Sequence, residues 1–123
     1  MTITTHRETS RHLTIFTCKG NLSYTEIIEA MKRFYKGIVA PPTKKVLWDI
    51  SSASVSSITA AQVTKIADLS IENEDVMTGG KTAVVAPEDV DFGLARSFAA
   101  QTIGERRDFM VFRTNDEAAE WLE

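Results

Sequence analysis

The feature that most constrains the fold of this chain is a short run of large apolar residues near its middle. In residues 46–50, which read Val-Leu-Trp-Asp-Ile, four of five side chains are apolar, and they do not alternate with polar ones. Such a run is typical of a strand that is buried on both faces. Residues 82–86, Thr-Ala-Val-Val-Ala, have the same character and are followed by a proline. The sequence therefore predicts two inner strands, over residues 45–50 and 82–86, lying side by side in one sheet.

Strand and helix patterns alternate along the rest of the chain. Two stretches rich in β-branched residues flank a polar break and predict an antiparallel hairpin, whose more polar first arm we place at the sheet edge. Apolar residues at helical spacing predict amphipathic helices, and capping-box patterns open two of them, at Ser23 and at Thr59. The predicted elements, in order, are strands 3–8 and 13–19, a helix over Tyr24–Ile38, strand 45–50, a helix from Thr59 to about Glu72, strand 82–86, a helix over Phe92–Ile103, strand 109–112 and a short helix over 115–122. Strands separated by helices predict parallel crossovers, and hence an α/β fold with a mixed sheet of about five strands and about four helices.

Length and composition narrow the class of protein. A chain of 123 residues with 43% hydrophobic and 25% charged residues fits one folded domain. Its formal net charge of -3 provides no general attraction for nucleic acid. Cys18 has no second cysteine to pair with, and its apolar neighbours predict an inert, partly buried thiol in a reducing compartment. No apolar stretch approaches the roughly 20 residues of a membrane span, and no signal-peptide pattern opens the chain, so we expect a soluble cytoplasmic domain.

Asp49 is the most informative single residue, because it interrupts an apolar strand near its C-terminal end. Open α/β sheets usually place their functional crevice outside the carboxyl ends of the strands. A carboxylate within an apolar strand is costly unless it is paired or hydrogen-bonded. Asp49 is therefore either a general base or a structural acceptor for the backbone amides of Ser51 and Ser52 or for the start of the following helix. No nucleophile or second acid accompanies it, which favours the structural role, and Asp49→Ala is then expected to lower the melting temperature by several degrees.

Two other patterns look functional but have simpler explanations. Residues 79–82, Gly-Gly-Lys-Thr, resemble the end of a phosphate-binding loop, yet they precede a predicted strand instead of following one. Glu88, Asp89 and Asp91 cluster after a buried strand, where a metal ion or a general acid would be plausible. Capping of the third helix by Asp89 or Asp91 explains the cluster more simply, and no His or Cys is near it in sequence. We therefore predict no metal site and no cofactor.

The histidines and a group of arginines are also assigned ordinary roles. His6 and His12 lie on or beside the hairpin, where we expect solvated positions. Arg96, Arg106 and Arg107 surround the third helix and the turn after it. They form either a basic patch for an anionic partner or, more simply, solvated surface charge.

Given this element order, several motifs resemble those of a known family. They are Val46-Leu47-Trp48-Asp49-Ile50, Lys81-Thr82-Ala83-Val84-Val85-Ala86, Phe92-Gly93-Leu94-Ala95-Arg96, and the ending Val111-Phe112-Arg113 with Glu117-Ala118-Ala119-Glu120-Trp121-Leu122. Their order and spacing resemble the SpoIIAA-like family, a STAS/SEC14-type group of small bacterial proteins, over nearly the whole chain. The resemblance implies one SpoIIAA/STAS-like domain over residues 1–123, with helices mostly on one face of the sheet. It implies no settled activity, although a role in holding nonpolar ligands has been suggested for the family.

The better-understood relatives of this family raise the question of a phospho-switch. Anti-sigma-factor antagonists are phosphorylated on a serine in an Asp-Ser-Ser-Gly turn that opens the helix after the central strand. Aligned from Asp49, that turn falls on residues 57–60, Ser-Ile-Thr-Ala, so that Ile58 occupies the phosphoacceptor position and offers no hydroxyl. Ser57 or Thr59 replaces it only if the register slips by one residue. The departure counts against such a switch, and Ser57 and Thr59 mark its candidate region.

Three functions remain, in a definite order. The first is a non-enzymatic binding or regulatory module that acts through a protein partner or as a homodimer, which rests on the resemblance and on the missing catalytic set. The alternative is a carrier for a small nonpolar, lipid-like ligand, held between helix Tyr24–Ile38 and helix Phe92–Ile103. Its candidate ligand-binding residues are Met31, Phe34, Tyr35, Trp48, Phe92 and Phe98, although core packing explains the same side chains. The third and least favoured function is an enzyme, because the sequence shows no Ser-His or paired-carboxylate arrangement.

Overall fold

The computed structural model describes residues 3–38, 40–104 and 106–123. Five strands and four α-helices follow one another in the predicted order. They are β1 (Ile3–Glu8), β2 (Leu13–Asn21), α1 (Tyr24–Tyr35), β3 (Lys45–Ser54), α2 (Ala60–Glu72), β4 (Lys81–Val85), α3 (Asp89–Gln101), β5 (Asp108–Phe112) and α4 (Asn115–Leu122). A 3-10 turn over Thr9–Arg11 joins the first two strands.

The five strands form one mixed sheet whose spatial order, β1-β2-β3-β4-β5, repeats their order along the chain. The first two strands are antiparallel, which confirms the predicted hairpin and places its first arm at the sheet edge. All later pairs are parallel. The two apolar runs lie side by side as predicted, with Val46 opposite Thr82 and Trp48 opposite Val84.

This strand order explains where the helices lie. Crossovers between parallel strands are almost always right-handed, so crossovers that all step in the same direction put their helices on the same face of the sheet. Helices α1, α2 and α3 accordingly pack over Phe16, Val46 and Val84 in one large core. Helix α4 follows the last strand and packs on the other face, against a smaller cluster that includes Leu47 and Ala83. Because the order of the described strands never reverses, their sheet has no topological switch point at which a crevice would open.

Several element boundaries differ from the prediction by one or more residues, and two of these differences have a clear physical reason. Strand β3 continues to Ser54 because residues 52–54 pair with residues 19–21 of β2, where a polar serine run had indicated a linker. Helix α1 ends at Tyr35, before the predicted Ile38, because Gly37 adopts a positive φ of 64° that terminates the helix. Helix α3 ends at Gln101, and Ile103, predicted to lie on its apolar stripe, is exposed.

The predicted cap of helix α3 is wrong. The helix begins at Asp89, and its N-cap residue is Glu88, whose side chain makes no capping hydrogen bond. Asp89 instead contacts Arg113 at 2.7 Å on the surface. Asp91 points into the protein and is buried, because it lies on the same helical stripe as Ala95. The two capping boxes at Ser23 and Thr59, by contrast, form as predicted.

Candidate functional site

A cavity of about 110 Å³ lies between the sheet and the layer formed by α1, α2 and α3. Its walls are almost wholly apolar, and it is partly open to solvent. Protein interiors are normally packed as densely as organic crystals, with few voids larger than a water molecule. A space of this size in a domain of 123 residues is therefore a feature of the fold that invites a functional explanation.

Aromatic side chains from the sheet and from α1 line one side of the cavity. Trp48, on the central strand β3, stacks on Phe16 with ring centroids 4.2 Å apart, and Phe16 meets the edge of Phe34 at 5.8 Å. Across the cavity, Phe98 of α3 packs edge-on against Phe109 of β5 at 5.2 Å. Although Trp48 is on the middle strand of the sheet, it is only partly buried. The cavity above it accounts for the exposed part of its ring.

The polar side chains in the cavity wall are Tyr35, Thr82 and Arg107. Arg107 is 7% exposed, which overturns its assignment to solvated surface charge. Its Nη2 donates hydrogen bonds to the Tyr35 hydroxyl, at 2.8 Å, and to Ser70 Oγ, and its guanidinium lies 4.5 Å from the centre of the Phe109 ring. The stacked and hydrogen-bonded guanidinium is a stable way to bury a cation beside an apolar space.

Thr82 lies in β4, next to the strand that Arg107 precedes. It is 4% exposed, and its hydroxyl has no hydrogen-bond partner within the part of the chain that the structure describes. Thr82 pairs in register with Phe109, two residues after Arg107. A buried hydroxyl normally has a hydrogen-bond partner. A hydroxyl without one in a cavity wall therefore indicates a position where a bound molecule would provide the partner.

The cavity collects most of the residues predicted to bind a nonpolar ligand. Met31, Phe34, Tyr35, Trp48 and Phe98 all line it, and α2 contributes to the wall as well, so the space is not confined to α1 and α3. Phe92 is not part of the lining. Its ring lies instead under two surface guanidiniums, with the Arg113 guanidinium 4.0 Å and that of Arg96 5.9 Å from its centre. Ligand binding by the five lining residues stays a prediction.

Asp49 lies on the opposite face of the sheet from the cavity, and its hydrogen bonds fit the structural role. Its Oδ1 accepts from the backbone amide of Ser51 at 3.0 Å and from the Ser51 hydroxyl at 2.5 Å. The carboxylate thus bonds to Ser51, which lies two positions further along the same strand. Asp49 does not border the cavity.

The candidate phospho-switch region also makes structural contacts. Thr59 is the N-cap of α2, and its hydroxyl accepts the backbone amide of Gln62 at 3.2 Å. Ser57 is exposed and donates to the backbone oxygen of Leu22 at 3.2 Å. Ile58, at the phosphoacceptor position, is buried and lines the cavity. Nothing in these contacts identifies a modified residue.

Asp91 is a buried carboxylate whose role the sequence analysis missed. It is 3% exposed, and its Oδ1 accepts from the backbone amide of Val55 at 2.8 Å and from the Ser54 hydroxyl at 3.2 Å. The bonds join the start of α3 to the segment that follows β3. The signal was present in the sequence, because Asp91, Ala95 and Phe98 share one helical face.

The remaining candidates have ordinary surroundings. Cys18 is fully buried, and burial, with smaller contributions from Asp49 and Glu26, raises the pKa of its thiol to about 12. His6 and His12 are exposed. The glycines of residues 79–82 form the turn into β4, where Gly80 packs against the backbone. No cluster of three or more His, Cys, Asp or Glu that could hold a metal ion occurs among the described residues. Within the same ranges, no helix has the length and apolar character needed to cross a membrane.

Comparison with solved structures identifies a protein of the same fold. The chain is similar to an uncharacterised protein of the DUF3478 family from Shewanella loihica PV-4, described as having a SpoIIAA-like fold. The TM-score is 0.55 and the sequence identity 20%, over 98% of this chain and 92% of that chain. No protein-family model and no curated protein matches the sequence. The similarity covers both chains almost completely, and at this identity it establishes a shared fold.

Proposed function

We propose that this chain, which has a SpoIIAA-like fold, is a non-enzymatic cytoplasmic binding module that holds a small nonpolar ligand between its sheet and its helix layer. The observation that carries the proposal is the apolar cavity of about 110 Å³ beneath α1, α2 and α3. Transfer of an apolar molecule from water into such a space is favourable in proportion to the apolar area it loses to solvent.

The size of the cavity limits the ligand. An engineered cavity of roughly 150 Å³ binds benzene, so a space of about 110 Å³ suits a ring or a short chain, or the end of a longer molecule that leaves through the open side. Met31 is buried in the wall and is the most adaptable of the lining side chains, because its thioether chain has three rotatable bonds. Rearrangement of this side chain would enlarge the space for a bigger ligand.

The two tryptophans of the chain allow a matched test. Trp48 lines the cavity, whereas Trp121 packs on the opposite face of the sheet, 5.7 Å from the ring of Phe112. In Trp121→Phe the remaining tryptophan reports on the cavity, and in Trp48→Phe it reports on the other face. Bromobenzene is a suitable probe, because a bromine atom in contact with an indole ring quenches its fluorescence.

We expect bromobenzene to quench Trp121→Phe with a saturable dependence on concentration and to leave Trp48→Phe almost unchanged. Equal quenching of the two variants would indicate collisions with the surface, and no saturable quenching of Trp121→Phe would mean that the cavity does not bind apolar molecules. Native mass spectrometry of the protein purified from its host then tests for a copurifying ligand. Absence of any such ligand, together with no quenching, removes the proposal.

A second candidate function is self-association through strand β5. This strand forms one edge of the sheet, and its Met110 side chain is 45% exposed. The other edge, β1, exposes Thr4, Thr5 and His6 instead. An uncovered edge strand with apolar side chains is a ready partner for a second copy, whereas polar edges resist pairing.

Light scattering after size-exclusion chromatography tests this candidate. If β5 pairs with β5 of a second copy, Met110→Lys converts a dimer into a monomer, because a lysine at the edge opposes strand pairing. Thr5→Lys on β1 is the matched control and leaves the dimer intact. A wild-type protein that is monomeric at all concentrations, or equal behaviour of the two variants, contradicts pairing through β5.

A further inference from the structure

We propose that the ligand of this cavity is a small amphiphile, with an apolar body in the cavity and one oxygen-bearing group hydrogen-bonded to Thr82. This inference rests on the proposed function, since it concerns what the same cavity prefers to hold. It goes further by assigning a polar contact to a site whose walls are mostly apolar.

The first argument is the state of the Thr82 hydroxyl. The residue is 4% exposed, and within the described residues no group accepts from or donates to its Oγ1. The other threonines of the buried interior behave differently. Thr14 and Thr43 share a hydrogen bond of 2.8 Å, and the Thr102 hydroxyl bonds to Ala99 at 2.8 Å. A buried hydroxyl without a hydrogen-bond partner is unfavourable, so a ligand that forms a hydrogen bond with it binds more tightly.

The second argument is the polarity of the cavity along its length. Thr82 is the second residue of β4, and Arg107 immediately precedes β5, so both lie at the N-terminal ends of parallel strands. The Tyr35 hydroxyl joins them there through its hydrogen bond with Arg107. The opposite end of the cavity, after the C-terminal ends of β2 and β3, is lined by Leu22 and Val55, which are both apolar and buried.

A cavity with polar groups at one end and hydrocarbon at the other matches a molecule with the same division. A pure hydrocarbon fills the space but leaves the Thr82 hydroxyl without a hydrogen bond. An alcohol, phenol or carboxylic acid of the same size fills the space and also forms that hydrogen bond. Sites that are mostly apolar with a few placed polar groups are the common design of small-molecule pockets, in which the polar groups fix the orientation of the ligand.

Phenol and toluene provide the test, since they differ by one hydroxyl in place of a methyl group. Their affinities for the wild-type protein and for Thr82→Val, which replaces the hydroxyl by a methyl group, are measured by NMR titration of the backbone amides. We expect the preference for phenol relative to toluene to fall by about tenfold in Thr82→Val, the effect of one hydrogen bond to a buried group. Thr82→Ser keeps the hydroxyl and keeps the preference.

The outcomes separate this inference from the proposed function. If neither compound binds the wild-type protein, both proposals are overturned. If toluene binds and the relative preference is the same in wild type and Thr82→Val, the cavity binds apolar molecules and only the Thr82 contact is overturned. Should Thr82→Val not fold, Thr82→Ala serves the same comparison.

Benzoate, titrated beside phenol, distinguishes the ligand class. Tighter binding of benzoate that weakens in Thr82→Val assigns an acid, and tighter binding of phenol assigns an alcohol.

Discussion

Asp91 and Arg107 are the charged side chains that the structure buries most deeply among the residues it describes. They lie at opposite ends of the parallel strands and satisfy their charges in different ways. Asp91 accepts a backbone amide near the N-terminus of α3, where the helix dipole also favours a negative charge. Arg107 bonds to Tyr35 and Ser70 and stacks on an aromatic ring. Both contacts join segments that are far apart in sequence.

Removal of the Asp91 carboxylate leaves the Val55 amide buried without its acceptor. We expect Asp91→Ala to lower the free energy of unfolding by about 2 kcal/mol, measured by urea denaturation. Asp89→Ala is the matched control two residues earlier. The Asp89 side chain is 94% exposed in its ion pair with Arg113, so its loss changes stability by less than about 0.5 kcal/mol. Equal effects of the two substitutions would contradict a structural role for Asp91.

The Cys18 thiol gives a prediction for alkaline pH. Its pKa rises from 9.0 to about 12 on folding, chiefly because burial disfavours the thiolate. The unfolded chain therefore loses this proton first, and the contribution of Cys18 to stability is complete below pH 9 and declines as the pH rises toward 12. Stability measured between pH 8 and about 11 should fall less steeply in Cys18→Ala than in the wild type. Identical slopes would show that the thiol is not buried.

At the scale of elements, the two glycines Gly80 and Gly93 have opposite surroundings. A Cβ on Gly80, in the turn into β4, would overlap the backbone oxygen of Lys44, which cannot move without disturbing the adjacent strand. A Cβ on Gly93, in the exposed part of α3, would meet nothing within 4 Å. The first glycine is required by close packing, and the second only weakens its helix.

Alanine at each position should therefore have effects of opposite sign. We expect Gly93→Ala to raise the free energy of unfolding by about 0.5–1 kcal/mol, because alanine is the better helix former. Gly80→Ala should lower it by more than about 1 kcal/mol through the backbone overlap. Thermal unfolding of the two variants and the wild type measures whether each substitution raises or lowers stability. No change in Gly80→Ala would contradict the close contact between Gly80 and the backbone of Lys44.

The elements themselves were largely predictable from the sequence, because apolar periodicity and capping patterns are local signals. Residues 51–54 were missed as strand because a serine-rich segment has no apolar run and resembles a loop in sequence, although Ala53 packs against the core. The burial of Arg107 depends on Tyr35, 72 residues away, and on Ser70, 37 residues away. The one sequence signal for this burial is the spacing of Arg107, Phe109 and Val111, which lie two residues apart and so face the same side of a strand. The cavity depends on the spacing of three helices, which no local pattern encodes.

At the scale of the whole molecule, the two faces of the sheet are covered unequally. Three helices cover one face and enclose the cavity, whereas α4 alone packs tightly on the other, where Ala83, Val85 and Ala118 are fully buried. In the part of the chain that the structure describes, spare volume lies beneath the three helices, whereas the residues beneath α4 are closely packed. The fold therefore combines a dense half that stabilises the sheet with a looser half that is able to admit a ligand.

A pair of enlarged side chains tests this asymmetry. Ala95 of α3 lines the cavity, so Ala95→Leu should fill it, raise the free energy of unfolding by about 1 kcal/mol and abolish the quenching of Trp48 by bromobenzene. Ala118 of α4 is fully buried against the other face, so Ala118→Leu should cost about 1–3 kcal/mol through overpacking. Thermal unfolding measures both, and destabilisation by Ala95→Leu would mean that the cavity is not available to be filled.

The agreement between strand order in space and along the chain has a consequence for how the protein is made. A nascent polypeptide leaves the ribosome from its N-terminus, so the hairpin of β1 and β2 is the first part of the sheet able to form. Every strand synthesised afterwards meets a partner that is already in place. The sheet can then grow by addition at a single edge during translation, and no segment has to be inserted between two strands that have already paired.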